Sequence, residues 1–370
     1  MKTNKGSVSI ISRESNDKTL DVAMLESELR SRGLNVRVMS RLLTKEKSLK
    51  ALGYAGHVMK QEAAILASDV VVIDTYCIPA SMIPHRKGTK VIQMWHALGA
   101  IKKFGWQTVG KKGGSSERTA RIMKMHKGYD YVVSPSDITA EHFCKAFRAA
   151  RDKVVKCGLP RIDYIKSVAS GELHDEMRAR ILSHYPQLNS NGNSDKKTIL
   201  YAPTFRRGKS VDVEGLLDAL DPDKYNVVVK LHPLYRVSEI GSTRGEKVPY
   251  TIYDDDFSSY DWLAAADIVI SDYSSFVIEA SLTDKPLYIY AYDLEEYSED
   301  TGLNIDFESE PISGYVFKKA TELASTLDKS EYDMGSLRAF RDRYIDIDTS
   351  HCTADLADFI ESQITRRKEK

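Results

Sequence analysis

The chain reads as an α/β protein made of two successive domains, each a parallel sheet covered by helices. Three observations carry that reading. At 370 residues the chain is about twice the roughly 100–200 residues of an ordinary domain. Short β-branched runs alternate with longer segments of helical period, the signature of βαβ units. The alternation breaks once, in a polar stretch from Tyr185 to Lys197 rich in Pro, Asn, Gly and Ser, and then restarts.

In order, strands are expected at Ser7–Ser12, Asn35–Ser40, Val70–Asp74, Lys90–Trp95, Tyr129–Ser134 and Lys153–Cys157. Leu20, Met24, Leu25 and Leu29 recur at helical spacing between the first two, with Gly33 as the stop, and a longer helical stretch covers about 45–68. The boundary falls between about 160 and 195, which divides the chain into domains 1–175 and 176–370. The second half is expected as strand Thr198–Ala202, helix Val213–Leu220, strand Asn226–Leu231, helix Tyr260–Ala266, strand Ile268–Ser271, helix Phe276–Thr283 and strand Pro286–Tyr292. A last helix, Thr353–Ile364, carries Leu356, Phe359, Ile360 and Ile364 on one face, so that face must dock.

Composition narrows the class. Lys+Arg 53 against Asp+Glu 53 gives no net charge to steer the chain to nucleic acid. Cys77, Cys144, Cys157 and Cys352 lie far apart with no Cys-x-x-Cys pair, which points to a reducing compartment rather than a disulfide or zinc framework. The apolar stretch Val8–Ile11 is too brief for a signal-peptide core, and no run approaches the ~20 residues that cross a bilayer. The protein is expected in the cytoplasm, with a peripheral membrane contact left open.

Five constellations carry chemistry. Ile268–Ser271 runs into Asp272-Tyr273-Ser274-Ser275 and then a helix, aiming backbone amides and hydroxyls at one spot as a phosphate needs; the same residues also read as an ordinary helix cap. Val227–His232 ends a buried strand with Lys230 and His232 before the breaker Pro233, so His232 sits at a carboxyl end. Thr204-Phe205-Arg206-Arg207 places guanidiniums after another strand. Val91–His96 puts an imidazole at a strand end, suited to general-base work or else packed in the core beside Trp95. Finally, Lys102, Lys103, Lys111, Lys112, Arg118, Arg121, Lys124 and Lys127 stand against the single acid Glu117, interleaved with Phe104, Trp106 and Ile122, a segment fit to meet a polyanion or lipid headgroups unless it is only a solvated loop. The remaining histidines, His126 among them, read as surface residues.

These pieces, in this order, resemble the CDP-glycerol or CDP-ribitol polyol-phosphate transferases of teichoic acid and capsule synthesis. The likeness rests on Trp95-His96-Ala97 with Lys102-Lys103-Phe104-Gly105, on Tyr201–Arg206, on Lys230-Leu231-His232-Pro233, on Ser271–Ser275 and on Lys285–Tyr297. It implies a GT-B architecture, two Rossmann-like domains facing across a cleft, with the C-terminal helix (about 353–368) packing back toward the first. It further implies His96 as acceptor base and His232 at the donor diphosphate. Arg206, Thr204, Ser271, Asp272, Ser274 and Ser275 would lie around the donor phosphates, and Lys102, Lys103, Lys111, Lys112, Arg118 and Arg121 would meet a lipid-linked or polyol-phosphate acceptor at the inner membrane face. No cofactor or resident metal is expected, although Asp272 or Asp306 is a candidate to recruit a divalent ion with substrate. Trp-His-Ala replaces the Trp-His-Gly of many members, and the region Thr301–Phe307 lacks their Arg-Gly-Phe-Tyr pattern, so the donor polyol stays open. A nucleotide-sugar glycosyltransferase or epimerase, and a noncatalytic nucleotide-binding or membrane-adaptor module, are the alternatives.

Overall fold

The computed structural model describes residues 6–42, 49–188, 196–206, 211–231 and 251–364. The chain divides into two compact units, one holding the residues up to Asp163 together with those from Tyr344 onward, the other running from Tyr164 to Arg343. The division thus falls ahead of 175/176. Tyr164 donates its hydroxyl to Asp261 and Tyr185 donates to Asp254 at 2.6 Å, which ties the segment after Asp163 into the second unit.

In the first unit β1 (Ser7–Ser12), β2 (Asn35–Ser40), β3 (Val70–Ile73), β4 (Lys90–Gln93), β5 (Tyr131–Ser134) and β6 (Val154–Lys156) form one parallel sheet in the order β2-β1-β3-β4-β5-β6. Val70, Val71, Val72 and Ile73 are fully buried, as expected of a central strand covered on both faces. Helix α1 (Leu20–Ser31) buries Val22, Leu25 and Leu29 at helical spacing. Helices α2 (Leu49–Ala67), α3 (Ile78–Met82), α4 (Glu117–Ile122) and α5 (Asp137–Phe147) follow, and α6 (Arg161–Ser170) begins in this unit and runs on in the second.

The second unit sets β7 (Lys197–Ala202), β8 (Tyr225–Val229), β9 (Thr251–Tyr253), β10 (Ile268–Ser271), β11 (Leu287–Tyr290) and β12 (Val316–Phe317) in the order β12-β11-β10-β7-β8-β9, again parallel. Its helices are α7 (His174–His184), α8 (Val213–Ala219), α9 (Phe276–Ala280), α10 (Leu294–Asp300), α11 (Ala320–Asp328) and α12 (Met334–Tyr344). The helix expected over Tyr260–Ala266 is a short 3-10 turn, Asp261–Ala264, pinned by the fully buried Trp262. This strand order is that of a dinucleotide-binding sheet, and its direction of winding reverses between β7 and β10; in the first unit the reversal falls between β1 and β3. Ligands of open parallel sheets bind at the carboxyl ends of the strands flanking such a reversal.

The last helix, α13 (Cys352–Ser362), packs on α1 and buries Cys352, Leu356, Ala357 and Ile360. Its cap comes from far away in sequence: the Asp163 carboxylate accepts from the Cys352 and Thr353 amides at 2.9 and 2.8 Å.

Candidate functional site

At the reversal of the first sheet, β1 ends in Ser12-Arg13-Glu14, β3 in Asp74-Thr75, and β4 leads through Met94 and Trp95 to His96. Trp95 adopts φ +60°, a left-handed conformation that a bulky residue holds only when its surroundings impose it. They do so here: its amide donates to Gln93 Oε1 at 2.9 Å, and its indole stacks on Phe104 at 4.4 Å and lies 5.2 Å from Phe147. Gly105, which follows Phe104, sits at φ +56°, and a Cβ there would stand 2.4 Å from the Ala146 carbonyl oxygen, so only glycine fits the turn that carries Phe104. The strained bend sets the His96 ring against the indole, centroids 4.1 Å apart.

His96 Nδ1 lies 3.0 Å from the Asp74 carbonyl oxygen. A carbonyl can only accept, so Nδ1 carries the hydrogen and Nε2 keeps its lone pair. The ring is one third exposed, which leaves that nitrogen open to a substrate. Glu14 Oε1 lies 3.6 Å from Nδ1, and both oxygens of the buried Asp74 carboxylate lack a hydrogen-bond partner. Burial pushes Asp74 up to about 6, against the opposing pull of the Ser12 hydroxyl and His96. Two carboxylates therefore flank an imidazole in the tautomer of a general base.

At the reversal of the second sheet, the Thr204 amide donates to both Asp272 oxygens at 3.0 and 2.9 Å. Arg206 donates to Asp272 at 2.6 Å, to the Thr204 carbonyl at 2.8 Å, and through a two-pronged contact to Asp293 at 2.8 and 2.9 Å. Its guanidinium is buried under Tyr273, Tyr292 and Tyr297, with centroids 5.1 to 5.4 Å away. Burial works against its charge, yet the Asp293 and Asp272 carboxylates prevail and raise its pKa above the ordinary arginine value. Arg206 and Asp272, expected around the donor phosphates, are paired with each other here and clamp the loops after β7, β10 and β11 together. The Ser271 hydroxyl donates to the Ala202 carbonyl at 2.6 Å. Asp306 caps a short turn through the Glu308 amide.

What the clamp presents are the partly exposed Ser274 and Ser275 at the start of α9, and Thr204, whose Oγ1 is buried without a partner. Lys230 donates to the Asp254 carboxylate at 3.2 Å and its carbonyl at 2.6 Å. His232 lies outside the described residues, as does Arg207. In the first unit Lys111, Lys112, Arg118 and Arg121 are exposed, Arg121 paired with Glu117 at 2.6 Å, while Lys102 and Lys103 are half-buried. His126, expected at the surface, is buried beneath Trp95, Phe147 and Tyr129, and that burial brings its pKa down to about 3.

Over residues 1–362 the sequence matches the family described as CDP-Glycerol:Poly(glycerophosphate) glycerophosphotransferase. The chain belongs to this family. It is 33% identical over 310 residues to the teichoic acid ribitol-phosphate primase of Bacillus spizizenii, covering 80% of this chain and 75% of that one. To the teichoic acid glycerol-phosphate primase of Bacillus subtilis it is 30% identical over 319 residues, 84% and 77% of the two chains. The wall teichoic acid polymerase TagF superposes with a TM-score of 0.73 at 20% identity, covering 100% of this chain and 91% of that one. The UDP-GlcNAc 2-epimerase of Neisseria meningitidis gives 0.55 at 13%, covering 96% and 98%. These structural likenesses establish the fold, which is of the GT-B class with two Rossmann-like domains.

Within this member of the family, sequence reasoning missed Asp293, Asp74 and Glu14. Asp74 carried a signal, an acid closing an otherwise apolar strand. Asp293 carried none, since its partner Arg206 is 87 residues away. No helix among the described residues is long and apolar enough to cross a membrane.

Proposed function

We propose that this enzyme transfers glycerol phosphate or ribitol phosphate from a CDP-polyol to a hydroxyl of a teichoic acid acceptor. The observation that supports the reading most is the His96 tautomer, fixed by the Asp74 carbonyl with Nε2 left as the basic nitrogen. Nε2 takes the acceptor hydroxyl proton, the oxygen bonds to the β-phosphorus, and the bond from that phosphorus to the bridging oxygen breaks. CMP leaves with the electron pair, and the imidazolium returns its proton to water. The Asp74 and Glu14 carboxylates favour the imidazolium while it exists. Ser274, Ser275 and Thr204 are assigned to the donor phosphates, and His232 to the charge that develops on CMP. Positioning and fixed dipoles supply most of the acceleration in such transfers.

Lys111, Lys112, Arg118 and Arg121 are assigned to a lipid-linked acceptor and the anionic inner face of the membrane, where each exposed cation contributes about 1 kcal/mol. The reading asks for no resident cofactor or metal. The test is CMP release from CDP-glycerol and CDP-ribitol, with a chelator and with phosphatidylglycerol vesicles as added arms. His96→Ala should cut turnover by about a thousandfold or more while CDP binding stays within about twofold. Near-normal turnover, or release of UDP from a nucleotide sugar instead, refutes the proposal.

A further inference from the structure

Behind the Trp95 ring, within the first unit, lies a cavity of about 630 Å³ whose lining, Arg121 apart, the reaction just described does not use. Five cations line it: Arg121 of α4, Lys124 and Lys127 of the turn that follows, Arg148 at the end of α5, and Lys153. No carboxylate lines it. In a chain of zero net charge, such a concentration of one sign around a concave surface focuses the field on an anion.

The wall is built rather than loosely assembled. The Trp106 indole donates to the Met125 carbonyl at 2.9 Å, the Arg148 guanidinium lies flat over that indole at 3.5 Å, and Lys153 Nζ donates to the Tyr129 carbonyl at 2.6 Å. Lys124, His126 and Arg148, all lining residues, adopt φ +45°, +59° and +52°, half of the non-glycine residues with positive φ among the described residues. Backbone held in that region persists where packing dictates it. Phe147 and His126 belong both to this wall and to the aromatic cluster around Trp95, whose other side faces His96.

We propose that this cavity is an anion subsite that receives a diphosphate or phosphodiester group of the acceptor, separate from the donor phosphates held by the second unit. The inference rests on the polyol-phosphate transfer proposed above. The volume is several times that of a single phosphate and lies in the range of organic ligand sites, so the occupant is a phosphate carried on a larger molecule. Arg148, stacked and always charged, provides the directional fork, and the lysines provide point charges.

The test is calorimetric titration of inorganic pyrophosphate into the full chain saturated with CDP, which blocks the donor site. One further site is expected. Arg148→Gln combined with Lys127→Gln should weaken it about tenfold or more, raise the acceptor KM by a similar factor, and leave kcat and the donor KM within error, with the cooperative melting transition retained. Absence of the second site in the wild type, or unchanged pyrophosphate affinity in the double variant, overturns the proposal. So does a variant that loses only binding to phosphatidylglycerol vesicles, which would make the cations a lipid-headgroup contact. Failure of the transferase reading is recognised separately, by a wild type that binds pyrophosphate yet releases no CMP from either donor.

Discussion

Asp74 shows how one side chain couples stability to the chemistry beside it. Both its oxygens are buried without a hydrogen-bond partner, and burial lifts its pKa from 3.8 to about 6. The fold therefore holds this proton more tightly than the unfolded chain does. The associated stability is complete below about 3.8 and is withdrawn as pH climbs through about 6. Above that pH the first unit bears an ionised carboxylate in a buried site, a cost on the order of 2–3 kcal/mol. Asp74→Asn removes the titration but leaves the backbone carbonyl that fixes the His96 tautomer. The variant should melt several degrees higher than the wild type at pH 8 and no higher at pH 4. Parallel melting curves across that range would show that the carboxylate is relieved by some other means. The strain at Trp95 belongs to the same account: an unfavourable backbone and an unfavourable charge both sit next to the one imidazole whose orientation the chemistry needs.

Among the elements, α13 depends most on a distant residue. Its first amides find their acceptor in Asp163, and Thr353 Oγ1 donates to the same carboxylate at 2.6 Å. Asp163→Ala leaves those groups unpaired at a half-buried helix end, a loss of roughly 1–2 kcal/mol. The expected result is faster amide exchange confined to residues 352–362, with the sheet of the second unit unaffected; uniform exchange throughout would rule out this capping role. The elements themselves were largely legible. Ser7–Ser12, Asn35–Ser40 and Ile268–Ser271 are β-branched runs bounded by polar residues, and the strands found there have those bounds. Thr251–Tyr253 and Val316–Phe317 were not legible, because runs of three and two residues carry no period and become strands only by pairing with β8 and β11. The site was legible as positions, since a polar residue at a strand's carboxyl end is visible in one dimension. Partners were not: nothing in the sequence joins Arg206 to Asp272 and Asp293, 66 and 87 residues away. His126 reads as a surface histidine until Phe147 and Trp95 close over it.

On the scale of the whole molecule, the chain leaves its first unit at Asp163 and returns to it at Tyr344, so one unit is contiguous and the other is not. The difference has an energetic consequence. The returning segment buries Leu356, Ala357 and Ile360 of α13 against α1, whose Val22, Leu25 and Leu29 are themselves fully buried. Burying such side chains stabilises by about 1.5–3 kcal/mol for each large one, so loss of α13 removes on the order of 5 kcal/mol from a unit with a total margin of roughly 5–15 kcal/mol. Arg32, which pairs with Asp358 and donates to the Ala354 carbonyl at 3.1 Å, would lose these two contacts and keep its pair with Glu28. Residues 164–343 carry a complete six-stranded sheet with its own core and should melt cooperatively as an isolated fragment. Residues 1–163 alone should bind a hydrophobic dye and melt without cooperativity, and should recover a sharp transition when residues 344–370 are joined to them through a flexible linker. A fragment 1–163 as stable as the same unit in the full chain would show instead that α13 is an appendage, and that the first sheet with α1 already suffices.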